Sequence, residues 1–215
     1  MLTMLPVQPL NIQEQATGAE TCGNIDKLRK IETLSLTMIA MRRNDILPMK
    51  ALFQRVENLT HYADGEPRDP EWTERRCLGW INRWKDGNPF SAMAIYTKSE
   101  VFVGYFVLGN GDNPDTGEEN APGFSEGALM LEHDYWNNGY CKEIMKAAQK
   151  QLIPELKKFD VNGAPLESVV FTTSPENQYM VRACDALDLK PWRTLEPNKG
   201  SNRWNKQKLI YWIHV

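Results

Sequence analysis

Leu129-Met130-Leu131-Glu132-His133-Asp134-Tyr135-Trp136-Asn137-Asn138-Gly139-Tyr140-Cys141-Lys142-Glu143 reads as a strand that passes through a short turn into a helix. The apolar run to Leu131 suits the strand. Asn137, Asn138 and Gly139 tolerate the backbone angles that a tight turn demands. A helix opening at that point leaves its first N–H groups without intrahelical partners and carries partial positive charge, so the turn suits a phosphate. Strand-turn-helix junctions with one glycine are common, so the rest of the chain has to supply the specificity.

Upstream, Leu34, Leu36 and Met38 alternate with Ser35 and Thr37, the pattern of a half-buried strand. Asn44 or Asp45 can cap a helix carrying Ile46, Met49, Leu52, Phe53 and Val56. Asp69-Pro70-Glu71 opens a second helix through Trp72, Cys77, Trp80, Ile81 and Trp84, which Gly87-Asn88-Pro89 ends. Residues 90–97 and 101–108 predict a hairpin. The polar stretch 109–123 lacks the carboxylate register of a calcium loop and predicts a solvated hairpin loop. Strands at 124–131, 166–173 and 208–214 and helices at 138–159 and 176–187 complete the order. The fold class is α/β, a mixed, mostly antiparallel central sheet flanked by helices. Residues 31–215 make this domain, and residues 1–30, with little periodicity, read as a loosely ordered extension.

Bulk properties narrow the function. Hydrophobic content of 41%, charged content of 25% and a net charge of −3 describe an ordinary soluble domain of 215 residues. They lack the basic excess of a nucleic-acid or anionic-membrane binder. Cys22, Cys77, Cys141 and Cys184 form no C-x-x-C pair, and the three histidines show no ligand spacing, so no metal site is expected. No apolar run approaches the roughly 20 residues of a membrane span, and the first ten residues do not read as a signal peptide. The expectation is a cytoplasmic protein with free thiols and neither nucleic acid nor membrane as partner. A homodimer is left open.

Trp136-Asn137-Asn138-Gly139-Tyr140-Cys141-Lys142-Glu143 resembles the acetyl-CoA pyrophosphate motif of the GCN5-related N-acetyltransferase (GNAT) superfamily. It is most similar to the ribosomal-protein N-terminal acetyltransferase branch, where Trp-Gly-x-Gly-Tyr-Ala-x-Glu is typical. The run from Asn177 to Leu189 resembles that branch's Asn-x-x-Ser helix and the Leu-Gly-Phe that follows, and residues 34–45 resemble its first strand and helix entry. The resemblance covers residues 31–215. Asn137 stands for the motif's first glycine, Cys141 for a small residue, Met180 for serine, and Asp188-Leu189 for Gly-Phe.

The resemblance implies acetyl-CoA as co-substrate and direct acetyl transfer to a primary amine, either a protein N-terminus or a small amine. By position, the backbone of Leu129, Met130 and Leu131 would pair with the pantetheine arm like an added strand. The turn through Asn137, Asn138, Gly139, Tyr140, Cys141 and Lys142 would hold the pyrophosphate, and Asn177 the pantetheine region. An N–H near Leu131 would face the oxyanion. The family's general-acid tyrosine, seven residues past the motif asparagine, is here Cys184, with Tyr179 as a substitute donor. Glu126 is the first choice of base, with Glu132 and His133 as rivals, and the 61–66 loop is a candidate for acceptor contact. Each residue also has a plainer reading, as core, helix start or surface charge. The alternatives are a catalytically inactive CoA-binding or interaction module with this fold, and another acyl-CoA as donor.

Overall fold

The computed structural model describes residues 24–196 and 207–215, so most of the expected 1–30 extension lies outside the described residues. A short hairpin of β1 (Lys30–Glu32) and β2 (Leu36–Ala40) opens the sheet. Leu36, Met38 and Ala40 of β2 point into the core with the period-two burial of a strand, whereas Leu34, expected to begin that alternation, lies in the turn before β2 and is exposed. The helices α1 (Ile46–Gln54), α2 (Val56–Leu59) and α3 (Pro70–Lys85) follow. The single helix expected through Val56 is divided at Arg55, whose extended backbone (ψ 113°) separates α1 from α2. Asp69 caps α3 by accepting from Glu71 N–H and Trp72 N–H, with Pro70 in the first turn. Cys77, Trp80, Ile81 and Trp84 form its buried stripe, while Trp72 stays part-exposed against the Phe53 ring.

The chain continues through β3 (Ala92–Thr97), β4 (Phe102–Asn110), β5 (Phe124–Leu131) and α4 (Tyr140–Ala147). A π-turn (Ala148–Leu152) joins α4 to α5 (Ile153–Leu156). Pro154 explains the turn: it has no N–H to donate, and its ring crowds the carbonyl four residues back, at Lys150. A two-residue ladder of β6 (Asp160–Val161) and β7 (Ala164–Pro165) precedes β8 (Ser168–Thr173), α6 (Gln178–Asp185), β9 (Pro191–Leu195) and β10 (Lys208–His214). β1 and β9 escape the sequence reading because one has three residues and the other is exposed almost throughout, so neither shows an apolar alternation.

The main sheet runs β1-β2-β3-β4-β5-β8-β10-β9, antiparallel at every junction except β5–β8. It is the mixed, mostly antiparallel sheet that the element order implies. Adjacent residues face opposite layers. Phe106 and Leu131 pack with Ile144 and Met145 of α4, whereas Tyr105 and Met130 pack with Phe53 of α1 and Trp80 of α3.

The single parallel junction positions the site. β5 and β8 pair from Phe124↔Ser168 only as far as Gly127↔Phe171. A Cβ at Gly127 would lie 2.0 Å from the buried Phe171 ring, so that ring occupies the space of the missing side chain. Beyond Gly127 the ladder stops while β5 continues for four residues, and a gap opens in the middle of the sheet.

Candidate active site

Backbone alternation decides which groups face this gap. Gly123 C=O accepts from Ser168 N–H on the β8 side, and Glu132 N–H donates to Val103 C=O on the β4 side. Odd-numbered peptides of β5 therefore point toward β8 and even-numbered ones toward β4. Leu129 and Leu131 lie past the end of the β8 ladder, so their N–H groups open onto the gap. Met130 differs: its peptide is turned to β4, where its carbonyl lies against Gly104. All three residues expected to pair with pantetheine line the cavity, Leu129 and Leu131 with their backbone turned to the gap and Met130 with its peptide turned to β4 and its side chain packed in the opposite layer.

The turn that follows aims a helix start at the same opening. Asn137 and Gly139 take left-handed backbone angles (φ 63° and 76°), and Gly139 is the N-cap of α4. The first amides of that helix, from Tyr140 onward, have no intrahelical acceptor. Asn137, Gly139, Tyr140, Cys141 and Lys142 all line a cavity of about 660 Å³ that also takes in Leu129 and Leu131. Asn138 is exposed outside the lining, its side-chain amide toward Trp136 C=O. Asn177 lines the cavity and also caps α6, accepting from Met180 N–H at 3.2 Å.

Glu143, the last residue of the motif, works from behind. Its carboxylate accepts from Ser35 N–H at 2.7 Å and from Thr33 Oγ1, tying α4 to the β1–β2 turn. Desolvation pushes its pKa up, but the bonds from Thr33, Ser35 and Leu36 outweigh it and hold the carboxyl below its ordinary value.

The proton-transfer candidates separate clearly. Glu126 lines the cavity, accepts from Thr172 Oγ1 at 3.2 Å, and is the only acidic lining residue among the described residues. Glu132 accepts from Asn58 Nδ2 at 3.1 Å and faces Arg55 at 3.5 Å, in a network that ties α1 and α2 to the end of β5, and it does not line the cavity. His133 is likewise outside the lining. Cys184 is fully buried in the core and does not reach the cavity. Burial pushes its thiol up to about 12, so a proton would pass to a thiolate of ordinary pKa, about 8.5, only uphill by about 5 kcal/mol. The position predicted for the acid thus holds a packing residue. Tyr179 does reach the cavity, with its ring 5.1 Å from that of Trp136.

Trp136 has a structural role within the motif. Its indole Nε1–H donates to Leu131 C=O at 2.9 Å, and its ring lies between those of His133 and Tyr179, so it braces the open end of β5. Of the 61–66 loop, His61, Tyr62 and Ala63 line the cavity, whereas Asp64 is held by Arg68 at 2.7 Å. Arg76, Trp80 and Arg83 reach the cavity from α3. Their i, i+4, i+7 spacing was available in the sequence as one helical stripe, but nothing local said what it faces. Among the described residues no cluster of three potential metal ligands occurs, and no helix is long and apolar enough to cross a membrane.

Comparisons with known proteins agree with this architecture. A GNAT-family acetyltransferase from Bacillus anthracis superposes with a TM-score of 0.65 at 15% identity, over 86% of this chain and 98% of that one. RimJ of Mycobacterium smegmatis, solved with a CoA-disulfide, gives 0.63 at 12%, over 84% and 82%. Spermidine N-acetyltransferase from Vibrio cholerae, solved with CoA and spermine, gives 0.61 at 14%, over 83% and 95%. Similarity this even across different acceptors does not single out the ribosomal-protein branch. No curated protein matches the chain by sequence. Residues 35–190, however, match the acetyltransferase (GNAT) domain family, and the chain belongs to it.

Proposed function

We propose that this protein transfers the acetyl group of acetyl-CoA directly to a primary amine, on a protein N-terminus or a small molecule, in the cytosol. The observation that carries the reading is the conjunction of an interrupted β5–β8 ladder with a helix start aimed into the same cavity. A pantetheine arm is an extended amide chain, and the peptides of Leu129 and Leu131 offer it an unfilled strand position. A pyrophosphate suits the first amides of α4, and Lys142 and Arg182 add positive charge from α4 and α6. The bound thioester supplies an activated carbonyl carbon.

This chain's residues supply the rest. Leu129 N–H, rather than the N–H near Leu131 that the resemblance implied, is the first amide past the end of the ladder and the one nearer Glu126, and we place it as donor to the carbonyl oxygen as negative charge develops there. Glu126 lies three residues earlier, about 10 Å along the strand, a span that a short chain of waters can relay. Glu126 takes the amine proton by that route. An α-amine of pKa about 7.7–8.0 asks little of such a base. Tyr179 is the hydroxyl we place as proton donor to the departing thiolate.

Calorimetric titration with acetyl-CoA, followed by CoA-thiol release in the presence of varied amines, tests the reading. Micromolar binding and amine-dependent release are expected. Glu126→Gln should lower kcat/KM by about 100-fold while leaving acetyl-CoA binding intact. Absence of binding overturns the proposal, and binding without turnover on any amine leaves a CoA-binding module.

A further inference from the structure

The cavity carries more positive charge than acetyl-CoA explains. Lys142 and Arg182 line it from α4 and α6, on the face already assigned to the cofactor. Arg76 and Arg83 line it from α3, which packs on the other face of the sheet. Glu126 is the only acidic lining residue among the described residues, in a chain whose net charge is −3. A cationic cavity in an acidic protein is a local arrangement rather than a reflection of composition.

The two arginines are also unspent. Neither makes an ion pair with a carboxylate among the described residues. The Arg76 guanidinium lies over the Trp80 ring at 5.1 Å, which orients it and leaves its N–H fork unused. Arg83 is half-buried and gives one N–H to Phe90 C=O at 3.1 Å, beside Gly109 of β4. Burial first, and the neighbouring Arg76 second, hold its guanidinium below the ordinary arginine value. Two like charges in one cavity, neither of them ion-paired to a carboxylate among the described residues, repel each other, a cost that an anionic ligand reverses.

We infer that Arg76 and Arg83 form an anion subsite on the α3 side of the cavity, so that the acceptor is an amine that also carries a carboxylate or phosphate. The amine half of this statement rests on the acetyl-transfer reading above, whereas the anion half does not. A planar guanidinium stacked on indole is suited to bidentate capture of either oxyanion. Held there, the acceptor presents its amine between α3 and β5, on the side of Glu126. Polyamines, which bring only positive charge, are disfavoured by the same pair.

The test is equilibrium titration of the full-length, CoA-saturated protein with matched ligands. O-phosphoethanolamine is compared with ethanolamine, the dipeptide Ala-Asp with Ala-Asn, and spermidine serves as the cationic probe. The anionic member of at least one pair should bind tighter by on the order of 10- to 100-fold, with spermidine weakest. Preference confined to the phosphate pair or to the dipeptide pair identifies which oxyanion the subsite takes. Arg76→Gln and Arg83→Gln should each bring the ratio toward one while CoA affinity and melting temperature hold. If Arg83→Gln fails to fold, the exposed Arg76 and the wild-type pairs still decide. Equal binding within both pairs, tighter binding of spermidine, or a preference that survives both substitutions overturns the inference. Failure to saturate with CoA is seen before any acceptor is added and counts against the cofactor reading. The same ligand order, read on the free protein, then still judges the subsite.

Discussion

Residues 124–127 and 128–131 are consecutive halves of one strand, equally bonded to β4 on one side, yet they meet opposite fates on the other. The first half is zipped to β8 and contributes stability. The second has no strand beside it and offers its odd-numbered peptides to a cavity. An unpaired strand in mid-sheet would ordinarily be a liability, because its peptide groups seek partners. Here the opening is braced by Trp136 on Leu131 C=O and by the α4 start beyond it, so the site is a maintained vacancy in a ladder. Stability and ligand binding should therefore respond to different residues.

The largest effect should come from the point where the halves divide. Gly127→Ala forces a Cβ into the Phe171 ring, which has no room to retreat, and should cost about 3 kcal/mol, lowering Tm by roughly 6–12 °C. Adding Phe171→Leu should recover part of that loss in the same thermal melt. An unchanged Tm in the single variant would break the claim that this ring ends the ladder.

Glu143→Ala comes next. It strands the Ser35 N–H, removes the bond from Thr33 Oγ1, and should cost about 2 kcal/mol by denaturant titration. The folded carboxyl is held below its unfolded value, so its contribution is present above pH about 4.3 and is lost as pH falls through the folded pKa. The gap between wild type and variant should therefore close on acidification. A gap independent of pH would assign the loss to packing.

Gly139→Ala sharpens the contrast, because it should separate binding from stability. A Cβ there meets nothing within 4 Å, so only the left-handed backbone (φ 76°) opposes it, at about 1 kcal/mol. Acetyl-CoA affinity should nonetheless fall by about tenfold or more, as calorimetry would read it, because the methyl group stands at the helix start. Equal affinity would move the phosphate site elsewhere.

The smallest effect is alkaline. Burial raises the Cys184 thiol to about 12, so it stays protonated in the folded chain while an unfolded thiol ionises near 8.5. Stability should thus fall as pH rises above 8.5, by less than about 1 kcal/mol between pH 8 and 9 from this group. Cys184→Ala should flatten that slope. An unaltered slope would mean that the thiol is not sealed in the core.

Much of this was readable from the chain alone, where local rules suffice. The period-two burial of β2, the Asp69 cap with Pro70 behind it, the stripe on α3 and the turn into α4 each follow from residues within a few positions of one another. The resemblance to the GNAT motif marked the turn and its flanking strand for the same reason: the motif is contiguous. Other features were not readable. Cys184 sits at the expected spacing for an acid, but spacing along α6 does not reveal that this face is turned into the core. Glu126 was the first choice of base on its place in the strand alone, and only the lining separated it from its rivals Glu132 and His133. Arg76 and Arg83 shared a helical face whose partner was invisible.

The sequence by itself determined the order of the longer strands and helices and the helix start that faces the cavity, because caps, turns and periodicity act over a few residues. Only the tertiary structure decided where β5 parts from β8, which titratable groups line the opening, and that two arginines from the opposite layer converge on it. Those outcomes depend on contacts between residues tens of positions apart, such as Gly127 against Phe171, whose geometry no local pattern encodes.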